Sequence, residues 1–515
     1  MASASKVLRN YYRDSVSLMQ LSSRLGKLPG LSQASAIMAS ENNLALLREA
    51  GLLEDAIEAG PNDLLIALAG DSDSALEAAM AEAEAALHQK PAMADGSGPR
   101  RESPRSIEMG LAAMPGANLA LISTPGDYAA AEAMKALRLG LNVMLFSDNV
   151  AARDEIALKR YAREHDLIVM GPDCGTAIVN GIPIGFANVV RRGDVGAVAA
   201  SGTGLQQVTC LIDRLGKGIS QAIGTGGHDL HRDVGGISML QGLAALDADP
   251  ATRVIVLISK PPAKEVAECV LEAAAQASKP VVVNFLGADS RAIQRPNLHP
   301  AKTLEDAAAA AAALSDGRRP DGRAPGMPAA TEPGGPAPGQ RYIRGLYSGG
   351  TFCYEASLLI GETLAPVHSN TPVGAASALE DVWRSRAHTL VDLGDDVFTR
   401  GRSHPMIDQR LRNERLLAEA EDPEVAVILL DVVLGYGSHP DPAGEIAPVV
   451  KEAKARAARA GRRLAVVGFV CGTDSDPQNL ARQVAKLGEA DIRLAPSNAQ
   501  AVRLAVRIAA EAGGR

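Results

Sequence analysis

The 515-residue sequence predicts an α/β protein built on parallel sheets, with two similar domains following one another from about residue 195 onward. Three observations carry that expectation. Short apolar, β-rich runs alternate with alanine-rich amphipathic stretches between residues 119 and 285, the pattern of βαβ units. Those runs are apolar throughout rather than alternating, as expected where helices cover both faces of a sheet. Finally, a set of elements recurs in the same order on either side of a proline- and glycine-rich segment.

Taken in order, the N-terminus MASASKVLRNYYRDSVSL has no apolar signal core. An alanine-rich helix pattern ends near His88, and residues 90–105, KPAMADGSGPRRESPR, read as a surface loop. Strands are expected at Leu119–Ser123, Asn142–Phe146, Leu167–Met170, Gly196–Ala200, Val254–Ile258 and Val281–Phe285. Residues 319–341, dominated by proline and glycine, cannot pack and read as a semi-rigid linker. These breaks give an N-terminal domain over 1–185, a second over 186–318, the linker, and a third over 342–515.

Composition narrows the function classes. Lys plus Arg number 52 against 60 acidic residues, for a net charge of −8 and no long basic run, which argues against nucleic acid. With 1 Trp, 8 Tyr and 6 Phe there is little material for base-stacking platforms, so a small anionic ligand suits the chain better. Five cysteines (Cys174, Cys210, Cys269, Cys353 and Cys471) lack CxxC spacing, which fits a reducing cytoplasm and neither a disulfide framework nor a zinc knuckle. No uncharged apolar run approaches 18 residues, so no membrane partner is expected.

The repeat places its motifs in register. VGAVAASGTGLQQVTCL (Val195 to Leu211) corresponds to IRGLYSGGTFCYEASLL (Ile343 to Leu359), and QAIGTGGHDL (Gln221 to Leu230) to TLVDLGDDVF (Thr389 to Phe398). DPATRVIVLISKPP (Asp249 to Pro262) matches DPEVAVILLDVVLG (Asp422 to Gly435), and VVVNFLG matches AVVGFVCG. Ser201, Gly202, Thr203 and Gly204 follow a strand and open a helix, where free N–H groups and the helix dipole favour an anion; Gly349, Gly350 and Thr351 do so in the second copy. The same residues also suit a plain strand-to-helix turn with a hydroxyl cap. Duplication in register favours the anion reading, with two facing helix ends sharing one phosphate or carboxylate.

Gly226 and Gly227, in GTGGHD, allow a ligand close to the backbone, and His228 stands where it can exchange a proton with it. His231 suggests a metal pair, yet no third ligand accompanies it, and no metal is expected. Asp395 and Asp396 hold the equivalent position in the second copy, followed by Arg402 and His404 in GRSHPMID, an anion-binding or solvated loop. Lys260 ends an apolar strand and so reaches the carboxyl edge of the sheet, where the counterpart region delivers Asp431 and His439. Cys174, in a Gly/Pro turn with no base partner, reads as structural rather than nucleophilic.

These motifs, with SVSLM, LNVMLFSDNV, LIVMGPDCGTAIVNG, ASGTG, IGTGGHDL, LISKPP, DLGDD and HPMID, resemble the succinyl-CoA-synthetase superfamily over nearly the full length, and more closely its FdrA branch. The resemblance implies a Rossmann-like N-terminal domain followed by two flavodoxin-like ligase domains. It departs from the synthetases in lacking a glycine-rich CoA loop before the first helix. A histidine in a glycine-rich turn is also missing after VVVNFLG, where His299 stands in a different setting. No segment remains for an ATP-grasp domain.

FdrA-like proteins are associated with oxamate carbamoyltransferase. The resemblance therefore implies a carbamoyltransferase subunit that interconverts a small ureido acid plus phosphate with carbamoyl phosphate plus an amide or amine. In that reading Ser201–Gly204 and Gly349–Thr351 hold phosphate, and His228, Lys260, Asp395 and Asp396 act at the reacting group. Gly226, Gly227, Arg402 and His404 position the substrate. No cofactor is expected beyond phosphate or carbamoyl phosphate as substrate, CoA being disfavoured. The expected partners are further enzyme subunits encoded nearby, in an oligomer. The alternative is an acyl-CoA synthetase subunit that works with a separate ATP-grasp protein.

Overall fold

Leu64–Gly70 reads LLIALAG, and every residue of it is buried. In the computed structural model, which describes residues 2–13, 15–49, 51–53, 57–88, 104–320, 336–399 and 402–513, it is the middle strand of a three-stranded antiparallel sheet, between Ala2–Leu8 and Leu31–Met38. Leu64, Ile66 and Leu68 join a core with helices Ser15–Leu25 and Asp73–His88, while Leu65, Ala67 and Ala69 join another with Leu44 and Leu47 of helix Glu41–Glu49. A strand with period 2 thus feeds two cores, which is why it reads as one unbroken apolar run.

This sheet belongs to a compact unit of Met1–Val150 with Asp396–Asp408. The same unit contains a parallel pair, Leu119–Ile122 and Asn142–Leu145, joined by helix Gly126–Arg138. Residues 90–103 of the expected loop and most of the linker expected at 319–341 lie outside the described residues.

The span expected as one N-terminal domain, 1–185, is therefore distributed. Residues 2–88 carry the antiparallel sheet, and the Rossmann-like part is the βαβ element at 119–145. Thr176–Val179 and Ile182–Gly185 hydrogen-bond into the sheet of the first repeat. The antiparallel strands ASASKVL and LSQASAIM are built largely from small and polar residues, so they carry little of the β-branched signal by which strands are recognised.

The second unit, Ala151–Asp395 with Gln409–Arg515, contains both repeats. The first sheet has the order Leu298–Pro300, Val281–Phe285, Val254–Ser259, Arg192–Ala200, Ile219–Gly224, all parallel, then the two antiparallel strands just named. The second runs Arg493–Ala495, Ala465–Cys471, Val425–Val433, Tyr342–Tyr347, His388–Asp392, then Val367–Ser369 and Ser377–Ala378, all parallel.

Five strands thus recur in the same spatial order, the 2-1-3-4-5 arrangement of flavodoxin-like folds, so the α/β class with two flavodoxin-like domains holds. In such sheets the strand order reverses beside strand 1, and its carboxyl end opens a crevice for ligands. Arg192–Ala200 and Tyr342–Tyr347 are those strands, so their following turns, 201–204 and 348–351, are where a site is built. No helix among the described residues is long and apolar enough to cross a membrane.

Candidate functional site

Helix Gly202–Arg214 is capped by Ser201, whose hydroxyl accepts the Gly204 N–H at 3.0 Å. Helix Gly350–Gly361 starts at Gly349 with no side-chain cap. The two turns touch: Ser201 Oγ lies 2.6 Å from Thr351 Oγ1. A Cβ on Gly204 would sit 3.2 Å from Thr351 Cγ2, and one on Gly349 would sit 3.0 Å from Thr203 Cγ2. Ser201 and Thr351 are buried and bonded to each other, whereas Gly202 is exposed and Thr203 and Gly350 half-exposed. Gly202, Thr203 and Gly350 are therefore the residues of these helix ends that reach the surface, and the N–H groups of a first helical turn have no intrahelical partner.

Beneath the second turn lies a fully buried carboxylate. Asp431 accepts the N–H groups of Ser348 and Gly349 at 2.8 and 2.9 Å, the Ser348 hydroxyl at 2.8 Å, and Arg412 Nη1 at 2.8 Å. Asp392, ending strand His388–Asp392, is a second one: a Cβ on Gly350 would fall 2.4 Å from its Oδ2. Burial pushes the Asp392 carboxyl up to about 7, against the opposing pull of the Lys260 charge and the Gly394 N–H.

Lys260 stands across from it, its Nζ 3.4 Å from the same Cβ position on Gly350 and 5.0 Å from the centre of the Tyr354 ring. Lys260 and Tyr354 line a cavity of about 240 Å³ together with Gly227, His231, Ser259 and Pro372. Burial, aided by the neighbouring His228, holds the His231 imidazole below its ordinary value.

The sequence-selected residues fall into three groups. The helix-end residues, Gly227 and Lys260 gather around this cavity and the paired turns; His228 lies beside them, its ring centre 4.9 Å from that of His231. Gly226 has a structural task, since at φ +85° a Cβ would strike Pro172 O at 2.1 Å. Asp395 is half-buried in the turn after its strand. Asp396, Arg402 and His404 belong to the other compact unit, where Arg402 lines a 410 Å³ cavity with Met19, Ser35 and Asn149. His404 Nδ1 there accepts the Met406 N–H.

Cys174 is buried with its thiol pushed up to about 12 by burial, in keeping with a structural role. Among the described residues no three His, Cys, Asp or Glu side chains form a metal-holding group.

Sequence reasoning missed Asp392, Tyr354 and a buried pair, Glu155 and Lys159. Asp392 was findable by the argument applied to Lys260, a charge at the end of a buried strand. Glu155 and Lys159 share the buried stripe of helix Ala152–Glu164 with Leu158 and Ala162. A charge pair four apart on an apolar face is itself a signal.

Two flavodoxin-like modules joined at their helix-opening turns define a CoA-ligase type of architecture, and comparison with known proteins agrees. A CoA-ligase family model matches residues 346–508, a CoA-binding-domain model residues 191–287, and a model described as the AllF heavy metal-associated domain residues 1–104.

The chain is 45% identical over 493 residues to the uncharacterized YahF of Escherichia coli (strain K12), covering 95% of each chain, and it belongs to that family within the succinyl-CoA-synthetase-like superfamily. It is also similar to malate–CoA ligase subunit alpha of Methylorubrum extorquens, 30% identical across 32% of this chain and 58% of that one. Succinate–CoA ligase subunit alpha of Aquifex aeolicus is 27% identical across 33% and 57%. Despite the metal-associated description, residues 1–104 contain no cysteine and a single histidine, His88.

Proposed function

We propose that this chain is a subunit of an acyl-CoA-synthetase-type ligase that works with a separate ATP-grasp subunit and handles an acyl phosphate at the first repeat. The observation that carries this reading is the first turn itself. Its half-open helix end, Gly202–Gly204, packs on the uncharged Ile258 and faces the second turn, whose Gly350 lies beside the Lys260 ammonium and the cavity that Lys260 and His231 line. Free N–H groups and a cation there would hold a phosphoryl group. The same N–H groups would carry the charge that develops as phosphate leaves and the CoA sulfur bonds to the acyl carbon. The matches to CoA-binding and CoA-ligase models, and to alpha subunits of two CoA ligases, support the ligase over the carbamoyl reading.

A second reading, transfer of a carbamoyl group to phosphate, draws on the FdrA-like motifs. It also draws on the segment after Val281–Phe285, where His299 sits half-buried in the edge strand Leu298–Pro300 rather than in a glycine turn. The two readings share the phosphate site and differ in acceptor.

The test supplies the full chain and its ATP-grasp partner with ATP, CoA and a panel of carboxylic acids. ATP-dependent thioester, lowered about tenfold or more by Lys260→Met, is the expected result. No thioester, but carbamoyl phosphate from oxalurate and phosphate by 31P NMR, would replace it with the carbamoyl reading.

A further inference from the structure

Lys159 is fully buried, and its ammonium is bonded to Glu155 Oε1 at 2.7 Å, Asp229 Oδ1 at 2.8 Å and Thr225 O at 3.0 Å. Asp229 is satisfied further by the N–H groups of Ser238 and Met239 at the start of helix Ile237–Ala248, where the helix dipole compensates its charge. Glu155 is not so completely satisfied. Its side chain is fully buried, yet Oε2 has no hydrogen-bond partner, and a buried carboxylate oxygen left unpaired is costly. That oxygen lies 3.9 Å from Nδ1 of His228, whose own side chain is 61% exposed. The ring of His228 leans on His231, which lines the cavity with Lys260.

We propose that Glu155 is a positioning residue for His228: a small rotation of the exposed imidazole closes the 3.9 Å gap, so that the spare oxygen accepts the Nδ1–H and fixes the ring with Nε2, unprotonated, presented outward for proton transfer. Two buried carboxylates against one ammonium favour a donor at this spot. Which ring nitrogen carries the proton follows from the bond the other makes. The chain thereby places a proton-transfer histidine on a rigid, charge-locked base rather than on a loose loop. The role assigned to His228 rests on the acyl-transfer reading above; the tautomer itself does not.

The experiment is spectroscopic. The full-length protein is labelled with 15N-histidine, and two-bond 1H–15N correlations are recorded at pH 8, with His228 assigned by difference against His228→Gln. The expected wild-type state is Nδ1–H. In Glu155→Gln the amide oxygen stays with Lys159 and the NH2 faces Nδ1, so the tautomer inverts to Nε2–H. An Nε2–H tautomer in the wild type, or the same tautomer in both proteins, overturns the proposal. Were Glu155→Gln to fail to fold, the wild-type spectrum alone decides. A fixed Nδ1–H tautomer with no acyl transfer in any assay counts against the functional reading and leaves the positioning role standing.

Discussion

The turns at 201–204 and 348–351 hold the same place in two copies of one fold, yet different chemistry lies beneath them. Gly224 pairs with Ala199 where Asp392 pairs with Tyr347, and Leu257 pairs with Val198 where Leu430 pairs with Leu346. By that register the second repeat has Asp392 in place of Gly224 and Asp431 in place of Ile258. Ile258 touches the first turn, its Cγ2 3.2 Å from a Cβ on Gly204, whereas Asp431 bonds the N–H groups of the second. Topology supplies a partial positive charge at both helix ends, and the residue underneath decides whether the protein neutralises it internally or leaves it for a ligand. The second turn is filled by the chain's own carboxylates. The first is capped by the uncharged Ser201 hydroxyl and packs on Ile258.

The largest effect should come from making the second turn resemble the first. Asp431→Ile leaves Arg412 buried without its carboxylate and strands two N–H groups, so we expect a loss of about 3–5 kcal/mol, read as a lowered urea midpoint. Pairing it with Arg412→Met removes the uncompensated charge and should recover much of that loss. Equal destabilisation of the single and double variants would show that the N–H groups, not the ion pair, matter most.

Asp392 predicts a pH dependence that Gly224, its counterpart in the first repeat, cannot supply. Its carboxyl titrates near 3.8 when free and near 7 in the fold. Between those values the unfolded chain has released a proton that the native state retains, so stability falls as pH rises from about 4 to 7 and then levels. Asp392→Asn should flatten that decline and leave the variant more stable at pH 8 than the wild type, by on the order of 3 kcal/mol. Glu355, also raised to about 7 by burial, contributes a decline of the same sign, so the informative quantity is the wild-type-minus-variant difference across pH. A parallel pair of curves would contradict the buried-acid account.

The asymmetry was partly legible beforehand. Strand runs, the repeat and both helix-opening turns could be read because buried parallel strands and glycine turns leave strong local patterns. Lys260 was recognised for ending an apolar strand, and HTLVD carries the same mark at Asp392. What local pattern cannot give is which residues meet. Glu155 and His228 are 73 positions apart, and the pair exists only because helix Ala152–Glu164 packs against helix Ile237–Ala248 and the loop before it. Nor do Asp396, Arg402 and His404 announce that they fold with residues 1–150 and not with the repeat preceding them. The N-terminal antiparallel sheet was missed because alanine and serine make weak strand signals.

Equivalent glycines sharpen the comparison at smaller amplitude. Gly350→Ala would place its methyl 2.4 Å from Asp392 Oδ2, and we expect about 1–3 kcal/mol of destabilisation as carboxylate and backbone shift. Gly202→Ala meets nothing nearer than Thr176 Oγ1 at 3.5 Å, an ordinary contact, and should change stability by no more than about 0.5 kcal/mol. Similar losses for both would mean that the crowding by Asp392 is not what requires glycine there.

A pair of hydroxyls tests whether the two turns are coupled at all. Ser201 Oγ both caps its own helix and meets Thr351 Oγ1, so Ser201→Ala removes a cap and a cross-repeat bond at once, for about 1–2 kcal/mol. Thr351→Val keeps the shape and removes only the cross-repeat bond, leaving the Ser201 cap intact, for about 1 kcal/mol. A double-mutant cycle isolates the shared term, expected at about 0.5–1.5 kcal/mol because the pair is buried and short. Additive losses would mean that the repeats meet at this point without depending on each other, and that the first turn keeps its shape through Ser201 alone.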